Sequence, residues 1–152
     1  MIHGARGKKI KEIDAYDEKE LIEDLTINDA LILIAVCASK EQDAPDVYQG
    51  CNIDRIAAMA ENHPLFSDFL DSIKPSLNKF MNMIGSTDTV KYVAAAAKVL
   101  KPEYKETAFT WAAIILMPDG VLTEARKNII DRYSMLLNID MKTSQRILVQ
   151  VS

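Results

Sequence analysis

Apolar residues recur along this chain at spacings of three and four, with no sustained alternation, so the pattern predicts helices and no sheet. Asp17-Glu18-Lys19-Glu20-Leu21-Ile22 reads as a short helix with acids in its first turn, where they favour the helix dipole. Thr26, with Asp29 three residues on, has the form of a capping box and opens a helix whose residues Leu31 to Ala38 are apolar on every side. Such a helix has to be surrounded by others. A loop around Asp43-Ala44-Pro45-Asp46 leads to a helix beginning near Asn52, with Ile53, Ile56, Ala57 and Ala60 on one face. His63-Pro64 ends it, because the residue before proline is pushed out of the α region. The next helix starts near Ser67. Pro75 is expected to break or kink it before Leu77, Phe80, Met81 and Ile84, and Gly85 to cap its end.

In the second half, Thr87 is expected to cap an alanine-rich helix from Asp88 to Leu100. Lys101-Pro102 opens another, through Ala108, Trp111, Ala112, Ile115 and Leu116 to the turn Pro118-Asp119-Gly120. Thr123 caps a helix to about Leu137 with the stripe Ile129, Ile130, Tyr133, Leu136 and Leu137, and Asn138-Ile139-Asp140 leads into a last helix over Met141 to Val149. The expected fold class is all-α: a single-domain bundle of about seven to eight helices over 17–152, preceded by a polar, basic tail over 1–16. Two segments repeat one plan, Leu31 to Met59 and Ala108 to Met135. Each is a buried helix, an acidic loop and an amphipathic helix. Ile53-Asp54-Arg55 aligns with Ile130-Asp131-Arg132, and Asp119 falls beside Gln42 and Asp43. Two such hairpins packed about a pseudo-two-fold are expected to bring both acidic loops together.

Composition narrows the function classes. The 152 residues are long enough for one buried core, and 49% hydrophobic with 26% charged residues describes a globular chain. A net charge of −4 offers no global field for nucleic acid or anionic membrane. Arg6, Lys8, Lys9 and Lys11 cluster in the tail, which reads as a solvated segment. No apolar run approaches the roughly 18 to 20 residues of a membrane span, and the N-terminus has no apolar signal core. Cys37 and Cys51 fit neither a disulfide framework nor a zinc pattern. The expected setting is the cytoplasm.

The stretch Ala108-Phe109-Thr110-Trp111-Ala112-Ala113-Ile114-Ile115-Leu116-Met117-Pro118-Asp119-Gly120-Val121-Leu122-Thr123-Glu124, with the Leu-Asn-Ile-Asp turn over 137–140, resembles the C-terminal half of TerB-like (tellurite-resistance) proteins. His63-Pro64-Leu65-Phe66 closes a similar first half, so the resemblance runs from about Leu25 to the C-terminus. It implies a non-enzymatic interaction or sensing domain in bacterial stress response, with protein partners and metal binding by acids of the interhelical loops. Two departures stand out. The family's Glu seven residues after the turn Asp is Arg126 here, and the first copy has Lys40-Glu41-Gln42-Asp43-Ala44-Pro45-Asp46 where an Asp-Gly is expected.

A hard cation such as calcium or another divalent ion needs several oxygen ligands, and Asp43, Asp46, Asp119 and Glu124 supply them if the loops converge. The competing reading makes the same acids turn and cap residues, in a purely structural, partner-binding domain without metal. An EF-hand fails: with Gly120 sixth, Ile115, Met117 and Arg126 occupy ligand positions. No nucleophile elbow, phosphate loop or dinucleotide fingerprint occurs, and Cys37 lies in an apolar run where its thiol is inert. An enzyme would need a hidden carboxylate–metal site with open coordination positions. Cys37, Cys51 and His63 do not space as zinc ligands. Met59, Met81, Met83, Met117, Met135 and Met141, with Phe109 and Trp111, read as packing. A homo-oligomer is compatible with all of this.

Overall fold

The computed structural model describes residues 24–41, 49–85 and 87–152. Among them are seven helices and no strand: α1 (Ile27–Ser39), α2 (Gln49–Glu61), α3 (Leu70–Met83), α4 (Thr89–Ala97), α5 (Pro102–Leu116), α6 (Glu124–Leu136) and α7 (Met141–Val151). A short 3-10 turn, Pro64–Phe66, joins α2 to α3. None of these helices is long and apolar enough to cross a membrane. The segment Asp17 to Ile22 and the tail 1–16 lie outside the described residues.

The all-round apolar pattern of α1 is explained by its position. Every residue from Ala30 to Ser39 is buried, and α1 packs against α2, α3, α4 and α5. The second such segment, in α5, buries Ala108, Phe109, Trp111, Ala112, Ala113, Ile115 and Leu116 and packs on α1, α2, α6 and α7. The two hairpins, α1–α2 and α5–α6, thus meet through their buried first helices. The aligned arginines reach across the repeat in both directions. Arg55 of α2 donates to the Ile114 carbonyl near the end of α5 at 3.4 Å. Arg132 of α6 lies 3.5 Å from Glu41, just past the end of α1.

Caps set several boundaries. Thr26 accepts from the Asp29 amide, Thr123 from Arg126 and Asp140 from Thr143, satisfying first-turn N–H groups of α1, α6 and α7. His63 sits in extended geometry before Pro64, and its Nδ1 accepts from the Leu65 amide, so the helix ends there as expected. Several features differ from expectation. Pro75 lies inside α3, which runs unbroken from Leu70 to Met83; the exposed position of Pro75 leaves the carbonyl it cannot serve near water. The N-cap of α4 is Asp88 without a side-chain cap bond, where Thr87 was expected, and α4 stops at Ala97. Gly85 is not left-handed; among the described residues that conformation belongs to Gly120 (φ 74°) and Asn138 (φ 54°). Phe109, Trp111 and Met117 are core, and Met59, Met81 and Met83 pack against it, whereas Met135 and Met141 are exposed.

Candidate functional site

The chemistry of this molecule gathers on one face of α6. Its N-terminal end carries the Asp119 turn. Gly120 takes the left-handed backbone that reverses the chain, and the Val121 N–H donates back to Asp119 Oδ1 at 3.1 Å. Thr123 starts α6 and holds the Arg126 amide at 3.2 Å, which sets Arg126 in the first turn. From there the Arg126 guanidinium reaches back into the loop. Its Nη1 donates to Asp119 Oδ1 and, at 2.7 Å, to the Val121 carbonyl. The Arg126 side chain is only 4% exposed and that of Asp119 is 59% exposed. The Asp119 carboxyl is held below the usual carboxylate range, by the Val121 N–H first and the Arg126 guanidinium second. A carboxylate and a carbonyl oxygen, the ligand types of a hard-cation loop, therefore converge on a guanidinium.

Two helical turns further on, the same face meets the end of α1. Tyr133, fully buried, donates its hydroxyl to Glu41 Oε2 at 2.6 Å, and Arg132 stands 3.5 Å from Glu41 Oε1. Here the carboxylate is the buried partner, 6% exposed against 42% for Arg132. Burial pushes the Tyr133 phenol well up, helped by the neighbouring Cys37 and Glu41. The Cys37 thiol is likewise pushed well up, by burial first and by Glu41 second, so no thiolate nucleophile is available there. Arg126 and Tyr133 are seven residues apart, so the two carboxylates attach to α6 about 10 Å apart along its axis.

Of the residues expected to bind a cation, Asp119 is engaged by Arg126 and Glu124 is the exposed first residue of α6. Asp43 and Asp46 lie outside the described residues. Among the described residues no group of three or more His, Cys, Asp or Glu side chains is placed to hold a metal ion. His63 is lowered from its ordinary value by burial and sits edge-on to Trp111, ring centres 5.9 Å apart. Asn52 of α2 is buried with its amide nitrogen unpartnered among the described residues.

Glu41 and the Arg126 contact are what the sequence reading missed. Arg126 registered only as a departure from a family pattern, although an Arg in the first turn after an Asp-Gly loop is placed to fold back on that Asp. Glu41 joins Tyr133 across 92 positions, and nothing local marks such a pair. Comparison with protein-family models, with characterised proteins and with solved structures gave no match.

Proposed function

We propose that this chain is a non-enzymatic interaction or sensing domain of the TerB-like type, in which the cation of the Asp119 turn is the domain's own Arg126. The observation that carries the reading is the single guanidinium nitrogen shared by the Asp119 carboxylate and the Val121 carbonyl. A divalent ion entering this turn has to displace a buried, multiply bonded guanidinium, which also repels it. The reading is supported further by how the reactive groups are used. Cys37 is sealed in α1, Tyr133 is committed to Glu41, and His63 caps a turn. Bacterial stress response of the tellurite-resistance kind, with a protein partner, is the setting the resemblance supports.

The test is a thermal melt in EDTA and then in calcium, manganese, magnesium or zinc, on the natural chain, Asp119→Ala and Arg126→Glu. An ion at about 100 times its dissociation constant stabilises a native state by roughly 2.7 kcal/mol, a shift of several degrees for a chain of this size. The expected result is no ion-dependent shift in the natural chain and a gain of ion response in Arg126→Glu, which places a carboxylate where the guanidinium stood. An ion that raises the melting temperature of the natural chain, with the rise abolished by Asp119→Ala, overturns this reading. The acids Asp43, Asp46, Asp119 and Glu124 would then be a cation site.

A further inference from the structure

Away from α6, the first turn of α1, the Pro64–Phe66 turn and α3 enclose a cleft of about 380 Å³. That is within the range of small-molecule sites, about 300–1,000 Å³. Ile32, Phe66 and Ile73 are buried side chains that form its apolar wall, and Phe69 is exposed at its rim. Its polar groups are mostly spent. Thr26 accepts the Asp29 amide, and the Asn28 amide donates to the Leu65 carbonyl at 2.9 Å. Asp29 is different. The Ser76 hydroxyl donates to its Oδ1 at 3.2 Å, and among the described residues its second oxygen has no partner.

Among the described residues of the lining, Asp29 carries the one formal charge. It lies in the first turn of α1, whose free N–H groups are equivalent to about half a positive charge, so the local balance stays negative by roughly half a charge. The segments that supply the lining, 26–32 and 66–76, carry Asp29, Asp68 and Asp71 against Lys74 alone. A cation is therefore drawn to the cleft, and an apolar wall beside a single carboxylate selects one with an apolar body. We infer that the cleft between α1 and α3 binds a small primary amine with a ring-sized apolar body. The ammonium sits on Asp29, and the ring lies against Ile32, Phe66 and Ile73.

The probe is phenethylamine, titrated into the full isotope-labelled chain near neutral pH while the Ile32 and Ile73 methyl signals are followed by NMR. Hydrocinnamate, which keeps the ring and reverses the charge, is titrated in parallel. Saturable shifts of those methyls are expected with the amine. Binding is expected to be about tenfold weaker or worse for hydrocinnamate and for Asp29→Asn, the loss of one charge-assisted hydrogen bond. Ser72→Trp, whose indole fills the cleft from an exposed position, abolishes the shifts. Equal response to the two probes, unchanged affinity in Asp29→Asn, or no shift up to about 10 mM amine overturns the inference. So does a contact in the free protein between residues 1–23 and these methyls, which makes the cleft the seat of the chain's own segment. If Asp29→Asn unfolds, the hydrocinnamate and Ser72→Trp arms decide alone.

Discussion

The two ion pairs on α6 are built inside out relative to one another. At the Asp119 turn the cation is buried and the anion faces water, whereas at the end of α1 the anion is buried and the cation is half exposed. The two arrangements tolerate damage differently. A guanidinium has five donors and is weakly hydrated, so Arg126, losing one acceptor, still has the Val121 carbonyl. A buried carboxylate is costlier to strand, and Glu41 relies on one phenol and one longer ionic contact. The buried anion should therefore be the more fragile of the two.

The largest effect is expected for Glu41→Ala. It leaves the Tyr133 hydroxyl buried without an acceptor and removes a charged hydrogen bond, a loss of about 3 kcal/mol, which lowers the melting temperature by roughly 6–12 °C. Glu41→Gln keeps an acceptor and should recover more than half of that, as read in the same denaturation experiment. Tyr133→Phe, which strips the donor and leaves the carboxylate, is expected to cost about 2 kcal/mol. Arg126→Met keeps the buried stem and removes the donors, for about 1–2 kcal/mol in urea unfolding. If Arg126→Met costs more than Glu41→Ala, the proposed asymmetry between the pairs is wrong.

The smallest effects are in the pH dependence, and they separate the pairs by direction. The native pKa of Asp119 is depressed, so its contribution is complete above the unfolded value of about 3.9 and is lost as pH falls through the native one. Asp119→Asn should flatten the acid limb of the stability profile below about pH 4 and leave the rest unchanged. The native pKa of Tyr133 is raised, so its contribution is complete below the unfolded value of about 10 and is lost as pH rises through the native one. Tyr133→Phe should flatten the alkaline limb instead. A profile in which both variants act on the same limb would contradict the assignment of the buried partners.

Much of the fold was legible because its signals are local. Thr26 and Thr123 cap as their side chains dictate, Pro102 starts α5, and a helix apolar on every side from Leu31 to Ala38 has to be enclosed by others, as the burial of α1 bears out. Where reading failed, two local forces competed. Pro75 weakens a helix, yet Ile73, Leu77 and Phe80 bury one face of α3, and that tertiary gain outweighs one lost hydrogen bond. Thr87 and Asp88 are both acceptable caps, and the chain uses the second without its side chain. The four acids expected at the site were chosen by type and loop position. What those properties leave out is the counter-charge, and Arg126 supplies it to Asp119 from within the same turn. Glu41, passed over as one more loop acid, is buried because α6 covers it, a fact that depends on packing across most of the chain.

The enclosure of α1 also has a consequence for synthesis. The first helix of the described chain is covered by α5, which is complete only at Leu116, roughly 80 residues later. At about 5–20 residues per second, an emerging chain carries the run Ala30 to Ala38 for roughly 4–16 s before α5, which later covers part of it, is complete. During that interval the side of this segment that α5 later covers is apolar surface still open to other apolar surfaces.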